Sequence, residues 1–116
     1  MMGARQRTVI EGGSVEETIL VTSVDISDGA EEEFNRWYNE KHLPEVLACP
    51  GFKSASRYEC TNGQPRYIAM YVLEDESALS TPQMKEARGW GDQFPNVRNF
   101  HERIYKRVHT AEGPNA

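Results

Sequence analysis

The stretch FKSASRYECTNGQPRYIAMYVLE, residues 52–74, decides the fold of this chain. It contains two runs of strand-forming residues on either side of the polar TNGQ at residues 61–64. Asn-Gly between two such runs is the strongest short-range signal for a β-hairpin. The sequence therefore predicts two antiparallel strands, at residues 52–60 and 65–74.

The second of these strands is apolar on both of its faces. Tyr67, Ala69, Tyr71 and Leu73 alternate with Ile68, Met70 and Val72. One face can pack on helices, but the other would leave apolar groups in water. An exposed apolar sheet face usually marks an interface. We therefore expect a homodimer that forms through the sheet faces.

Upstream of the hairpin, the sequence predicts a strand and then a helix. TILVTSVDI, residues 18–26, is rich in β-branched residues and precedes Ser-Asp-Gly, which is typical of a strand that ends in a turn. A Glu-rich first turn then precedes aromatic residues at helical spacing, which predicts a helix over residues 30–41. These aromatic residues are Phe34, Trp37 and Tyr38.

Pro44 follows this helix two residues after a histidine. Because proline lacks an amide donor and crowds the preceding turn, we expect the helix to break at Leu43. Pro44 is suited to start a short second helix, PEVLA. Such a break would turn His42 away from the regular helix surface and free the carbonyl group of Glu40 to bond a ring nitrogen or water.

Downstream of the hairpin, residues 75–90 are expected to form an irregular helical segment that Pro82 interrupts. VRNFHERIYKRVH, residues 97–109, alternates well enough for a last strand. Its two faces carry Phe100, Ile104 and Val108 on one side and His101, Arg103 and Tyr105 on the other. The order βαββαβ predicts an α+β protein: a four-stranded antiparallel sheet with both helices on one face.

Length and composition indicate one compact domain. With 116 residues the chain has room for a single core, which we place at residues 18–109, between flexible ends at 1–17 and 110–116. A net charge of -5 with dispersed basic residues argues against nucleic acid as a partner. No apolar run approaches the ~20 residues of a membrane span, and the start lacks a signal-peptide core, so we expect no membrane partner and a cytoplasmic location.

The two cysteines and the missing motifs limit the chemistry. Cys49 and Cys60 lie 11 residues apart without a metal-ligand pattern, which favours reduced structural thiols; a nucleophilic Cys49 is the alternative. The sequence has no Gly-rich phosphate loop, no G-x-S-x-G motif and no H-E-x-x-H motif. Their absence argues against a nucleotide-binding site, a serine-hydrolase site and a zinc-protease site. We predict no metal and no cofactor.

Three motifs in order resemble a known superfamily: WYNEKHLPEVLACPGF at residues 37–52, RYE in the next strand, and PRYIAMYVLED at residues 65–75. They resemble the dimeric α/β-barrel proteins, particularly the EthD-like members with a W-Y-x-x-x-H-L-P signature. The resemblance covers residues 19–108. It implies a ferredoxin-like protomer that pairs with its twin into a barrel and keeps a pocket between sheet and helices. That superfamily hosts isomerases, lactone-processing enzymes, cyclases, small monooxygenases and haem-handling proteins.

His42 is the residue of the signature best suited to chemistry. Its unperturbed pKa near 6.5 lets an imidazole take and return a proton close to neutrality. The alternative is that Pro44 only turns the chain and His42 bonds a backbone group. Glu45, three residues on, is placed to orient the ring, or is an ordinary acidic residue of a first helical turn.

Further candidates are aromatic or titratable residues with a structural alternative, since buried Tyr, Trp and His residues usually serve packing and hydrogen bonding. Tyr58 is a candidate catalytic residue. The candidate substrate-binding residues are Trp37, Tyr38, Tyr71, Trp90 and His101.

These observations predict a small cofactor-independent enzyme that uses His42 as general acid or base. Its reaction is expected to be of isomerase, cyclase or lyase type, on an aromatic, polyketide-like or lactone-like metabolite. Two alternatives stay open: a non-catalytic ligand-binding or accessory dimer, and a cofactor-free monooxygenase. Haem binding through a histidine is a third option and needs a roomy apolar pocket.

Overall fold

Four antiparallel strands form a single sheet in the computed structural model, which describes residues 17–115. The strands are β1 (Thr18–Ile26), β2 (Phe52–Glu59), β3 (Tyr67–Leu73) and β4 (Val97–Lys106). Their order across the sheet is β2-β3-β1-β4, and the helical segments cover one face. This ferredoxin-like α+β fold confirms the predicted architecture. The expected flexible segment at 1–17 lies, except for Glu17, outside the described residues.

The two faces of the sheet differ as the alternation of side chains predicts. Along β1 and β3, every second residue is buried against the helices, and the intervening residues are only partly exposed. Leu20 lies beside Tyr71, and Thr22 lies beside Ala69, on the helix-covered face. The opposite, outer face carries the intervening apolar side chains Ile19, Val21, Ile68, Met70 and Val72.

The first connection between strands is one nearly continuous helical rod. It consists of α1 (Glu31–Trp37), a π-helical turn (Tyr38–His42) and α2 (Leu43–Leu47). The predicted break at Leu43 is wrong, because Leu43 has helical dihedral angles (φ -60°, ψ -47°) and donates its N–H to the carbonyl oxygen of Tyr38, five residues back. The wider turn accommodates the proline ring and missing donor of Pro44 without ending the helix.

The second connection is fragmented, as the prolines and glycines of this region predict. It contains a 3₁₀ turn (Glu76–Ser80), α3 (Pro82–Ala87) and a second 3₁₀ turn (Gly91–Asn96). Thr81 caps α3, because its side chain accepts a hydrogen bond from the N–H of Met84 at 3.1 Å. Proline at the first position of α3 needs no amide donor.

The predicted hairpin is present as the antiparallel pair β2–β3, with Tyr58 beside Ile68 and Ala55 beside Tyr71. Its connection spans residues 60–66 and is closed by a hydrogen bond of 2.7 Å from the N–H of Cys60 to the carbonyl oxygen of Arg66. The strands are one or two residues shorter at this end than the sequence predicts. Asn62 and Gly63 therefore lie inside a longer loop and do not form a two-residue turn.

The core lies between the sheet and the helical rod. Its largest fully buried side chains are Phe34, Val46 and Leu73. Gly51 brings the end of the rod against the second connection, because its carbonyl oxygen accepts a hydrogen bond of 2.8 Å from the N–H of Glu74. No helix within residues 17–115 is long and apolar enough to cross a membrane.

Candidate active site

A cavity of about 110 Å³ lies between the helix-covered face of the sheet and the two connections. Its volume approaches the ~150 Å³ of an engineered cavity that binds benzene. The wall is mostly apolar, with several polar groups that face inward. It is lined by Leu20, Thr22, Tyr38, His42, Val46, Tyr71, Met84, Arg88, Gly89, Trp90, Phe100 and Glu102.

His42 enters this wall from the last position of the π-helical turn and is only 8% exposed. Its ring stacks on Trp37 with centroids 4.9 Å apart and planes 13° apart, and it meets Tyr38 edge-on at the same distance. Within residues 17–115, no side chain or backbone group forms a hydrogen bond with its ring nitrogens. The imidazole is thus held by aromatic packing.

The surroundings of His42 favour its neutral form. Burial is the main cause that lowers its pKa; the positive charge of Arg57 acts in the same direction, and the negative charge of Glu45 opposes both. A His with a lowered pKa is uncharged at neutral pH and has a free lone pair. This is the protonation state that a general base requires.

Two phenols that line the same cavity share a hydrogen bond. The hydroxyl groups of Tyr38, on the rod, and Tyr71, on β3, lie 2.5 Å apart. Burial raises the pKa of both groups, so both are protonated at neutral pH. Sequence alternation places Tyr71 on the buried face of the sheet, and helical spacing places Tyr38 one turn before His42.

Arg57 lies behind this pair and is a residue that we did not single out from the sequence. Its guanidinium carbon is 4.2 Å from the centroid of the Tyr38 ring, and its two terminal nitrogens donate hydrogen bonds of 2.8 Å to Asn35 and Asn39. No signal in the sequence marks this position: alternation from the buried Phe52 predicts the outer face, but a register shift between Phe52 and Ser54 places Arg57 beside Ala69 on the helix-covered face.

Trp90 is half-buried and lines both the cavity and a neighbouring hollow. It lies between two glycines with positive φ, Gly89 (104°) and Gly91 (52°), and its ring packs edge-on against Phe100 at 5.2 Å. A hollow of about 380 Å³ lies beyond Trp90 and Phe100, and one of about 280 Å³ lies beyond His42, Arg88 and Gly89. The cavity thus adjoins two larger recesses.

An ion pair spans the rim of the cavity. Arg88, at the end of α3, lies 3.4 Å from the carboxylate of Glu102, which points inward from β4 beside Thr22. Neither residue was identified from the sequence, since nothing in their local context distinguishes them from surface charges. Their pairing depends on a contact between residues 14 positions apart.

Several residues predicted for the site lie elsewhere. The carboxylate of Glu45 is 3.1 Å from the ammonium group of Lys41, so it forms a surface pair. Tyr58 is 50% exposed and lies on the outer face of the sheet. His101 is also exposed there, beside Ser23, with Nδ1 3.1 Å from the carbonyl oxygen of Asn99. None of these three lines the cavity, whereas Tyr38, His42, Tyr71 and Trp90 do.

The cysteines and acidic residues offer no obvious reactive or metal centre. Cys49 is free and buried, with Sγ 3.5 Å from the carbonyl oxygen of Glu45, and burial raises the pKa of its thiol. A raised pKa disfavours the thiolate that a nucleophile needs. Among residues 17–115, no three His, Cys, Asp or Glu side chains are close enough to hold a metal ion.

The comparison with protein families identifies the domain. Residues 17–108 match the model of DUF4286, described as a domain of unknown function. The chain belongs to the DUF4286 family. None of the curated proteins matches this DUF4286 chain by sequence.

Solved structures share its fold at low sequence identity. A mutant of SnoaB, a cofactor-independent oxygenase from Streptomyces nogalater, has a TM-score of 0.62 and 17% identity, over 84% of this chain and 97% of that one. The heme-degrader MhuD from Mycobacterium tuberculosis, with two hemes bound in its active site, has a TM-score of 0.63 and 16% identity, over 82% of this chain and 99% of that one. An ethyl tert-butyl ether degradation (EthD) family protein from Bacillus halodurans has a TM-score of 0.58 and 14% identity, over 79% of this chain and 99% of that one.

These similarities confirm the ferredoxin-like fold of the DUF4286 domain and its likeness to EthD and monooxygenase-like structures. The haem of MhuD raises the question whether this chain can hold one. Pockets for drug-sized ligands measure ~300–1,000 Å³ and haem is larger than such ligands, whereas the cavity beside His42 is about 110 Å³. His42 also lines the neighbouring recess of about 280 Å³, which is likewise smaller than such pockets. Neither space fits a haem.

Proposed function

We propose that this protein is a small cofactor-independent enzyme in which His42 removes and returns a proton on a compact aromatic or polyketide-like molecule. One observation carries the proposal: a buried, neutral imidazole without a hydrogen-bonding partner in the described structure lines a mostly apolar cavity. Apolar clefts with a few convergent polar groups and a perturbed pKa are typical of active sites.

The cavity supplies what proton transfer to His42 requires. Its wall is mostly apolar, so a substrate C–H group competes with few other proton donors for the imidazole. Trp37 and Tyr38 hold the ring in one orientation by stacking and edge contact. A general base that is already uncharged and oriented needs little reorganisation before the transfer, and such catalysis is typically worth 10²–10⁴ in rate.

The carbanion formed in this way can follow either of two courses. His42 can return the proton to another carbon, which is the isomerase-type reaction. In the oxygenase variant, an activated CH₂ group becomes a carbonyl group: one atom of O₂ stays on the carbon, and the other leaves as water with the two hydrogens. The similarity to a cofactor-independent oxygenase supports this second course.

A homodimer through the outer sheet faces belongs to the same proposal. Apolar side chains of β1 and β3 occupy the centre of that face, among them Ile19, Met70 and Val72, and each is only half-buried in the single chain. Pairing two such faces would bury them. Light scattering during size-exclusion chromatography tests this: a monomer at micromolar concentration contradicts it.

The test of catalysis is proton exchange on a simple carbon acid. We expect the protein to speed deuterium incorporation from D₂O into 2-indanone, a flat aromatic ketone with acidic α hydrogens, as followed by proton NMR. His42→Ala should reduce this exchange by about 10²–10⁴-fold. His109→Ala is the matched control, because His109 is exposed and lies outside the site, and it should leave the rate unchanged.

The outcomes separate the candidate functions. Equal exchange by wild type and a folded His42→Ala variant contradicts the role of His42. Binding of 2-indanone without any acceleration of exchange favours the ligand-binding alternative. Oxygen uptake during turnover, measured with an oxygen electrode, distinguishes the oxygenase variant from the isomerase-type reaction.

A further inference from the structure

The hydroxyl groups of Thr22, Tyr38 and Tyr71 together have one hydrogen left over for a ligand. Tyr38 forms hydrogen bonds with both Tyr71, at 2.5 Å, and Thr22. Two hydrogen bonds among three hydroxyl groups use two of their three protons, whichever groups donate. All three residues line the cavity, so the remaining O–H group is available to a molecule inside it.

Arg57 gives the two phenols an electrostatic bias. Its guanidinium group contacts three aromatic rings, with distances to the centroids of 4.2 Å for Tyr38, 5.4 Å for Tyr67 and 5.6 Å for Phe34. Within the described residues Arg57 forms no ion pair, and its hydrogen-bonding partners are the neutral side chains of Asn35 and Asn39. A partly buried cation without a carboxylate partner costs stability, and its presence here is consistent with a functional role.

The field of Arg57 acts on the groups that line the cavity. Its charge works against burial at both phenols, favouring negative charge on their oxygens, and it disfavours positive charge on His42. Burial is the larger effect at the phenols and keeps them protonated. The result is a pair of neutral phenols, polarised as hydrogen-bond donors, that face the same cavity as a neutral base.

We propose that Tyr38 and Tyr71 form an oxyanion site, polarised and positioned by Arg57, that binds the carbonyl or phenol oxygen of the substrate. The inference rests on the proposed function and narrows it, because the substrate must then carry an oxygen acceptor next to the C–H group that His42 attacks. Compact cyclic ketones have this arrangement.

The step balances without a further reactant. The α C–H bond breaks, its proton forms an N–H bond on His42, and its electron pair becomes the new C=C bond of an enolate. The carbonyl π electrons move to the oxygen, which accepts a hydrogen bond from the phenol pair. Donors fixed where charge develops stabilise it without reorganisation. Reversal at the same or another carbon returns the proton.

The test uses 4-nitrophenolate as an analogue of the enolate, with binding followed by its absorbance. Wild type should bind it, and Tyr38→Phe and Tyr71→Phe should each weaken binding about ten-fold or more, since each substitution removes a hydroxyl group from the donor pair. Tyr105→Phe makes the same chemical change on an exposed residue of β4 outside the cavity and should leave binding within about two-fold. No binding by wild type, or unchanged binding by both cavity variants, would overturn the proposal.

The role of Arg57 is tested by substitutions that remove or keep its positive charge. The pKa of His42 is measured as well, because a loss of packing alone would not change it in the predicted direction. Arg57→Met should weaken 4-nitrophenolate binding and raise the pKa of His42 measured by NMR titration, because it removes a nearby positive charge. Arg57→Lys should restore part of both. A folded Arg57→Met variant with wild-type binding and an unchanged His42 titration would refute the role of Arg57. If Arg57→Met does not fold, Arg57→Gln takes its place, because glutamine removes the charge and keeps hydrogen-bond donors for Asn35 and Asn39.

The binding experiment and the exchange experiment can reject the oxyanion site and the proposed function independently of each other. Binding of a phenolate requires no proton transfer, so it can depend on Tyr38 and Tyr71 even if His42→Ala leaves 2-indanone exchange unchanged. Conversely, exchange that requires His42, together with 4-nitrophenolate binding that ignores both phenols, retains the proposed function and removes the oxyanion site.

Discussion

The two connections between strands run over the same face of the sheet, yet they are built differently. The first is a rod over residues 31–47 that one π-helical turn widens without breaking. The second, over residues 76–96, consists of three short segments separated at Thr81 and at Arg88–Trp90. The rod supplies Tyr38 and His42 to the cavity, and the fragmented connection supplies the wall around Trp90.

In the proposed function, the two connections have different tasks. Groups that perform chemistry need a fixed orientation, and a continuous helix packed by aromatic rings provides it. A wall that must admit a ligand benefits from short segments joined by glycines, which tolerate backbone changes that other residues resist. The π-helical turn lies at His42, consistent with the frequent occurrence of such turns at functional sites.

The largest expected effect on stability comes from replacing a phenylalanine by alanine in each connection and comparing the two losses. Phe34, in α1, is fully buried at 0% exposure, whereas Phe94, in the second 3₁₀ turn, is 71% exposed. Phe34→Ala should lower the free energy of unfolding by about 3–5 kcal/mol, because it leaves a cavity in the core. Phe94→Ala should change it by less than about 0.5 kcal/mol. Urea denaturation measures both, and similar losses would contradict the view that the rod forms the core.

A smaller effect is expected where the two connections meet. Gly51 has φ of 87°, and a Cβ atom there would lie 2.6 Å from the Cβ of Ala78. Gly51→Ala should destabilise the protein by about 2–4 kcal/mol, from left-handed strain and overpacking together. Gly29→Ala is the matched control, since φ is 83° but no atom lies within 4 Å, and only about 1–2 kcal/mol of strain is expected. Equal losses in urea unfolding would mean that Ala78 moves aside freely.

The smallest predicted effect is a pH dependence of stability that arises from His42 in the rod. The folded state lowers the pKa of His42, so the unfolded chain binds more protons below pH ~6.5, and stability falls as the pH drops through that window. Each unit of lowering corresponds to about 1.4 kcal/mol. His42→Asn should reduce the loss of stability between about pH 7.5 and about pH 5, and His109→Asn should retain it. An unchanged pH dependence in His42→Asn would show that the imidazole is not held neutral.

The sequence could predict those parts of the site that periodicity places. Alternation along β3 assigns Tyr71 to the buried face, and helical spacing brings Tyr38 close to His42. Arg57, Arg88 and Glu102 could not be found in this way, because their roles depend on contacts between strands and connections that are distant in the chain. Tyr58 and His101 have suitable chemistry, and alternation counted from Phe52 or Val97 places both on the inner face. A register shift in each strand moves them to the outer face, and the sequence does not show these shifts.

The amino-acid sequence by itself determined the order of strands and helices, the buried face of the sheet and the H-L-P segment that carries His42, because these depend on local spacing and backbone chemistry. Only the tertiary structure decided how Pro44 is accommodated, since a helix packed on a sheet gains more from continuing through a widened turn than from breaking. It also decided that His42, Tyr38 and Tyr71 meet at one cavity with Arg57 behind the two phenols, because their proximity arises from the packing of the whole chain.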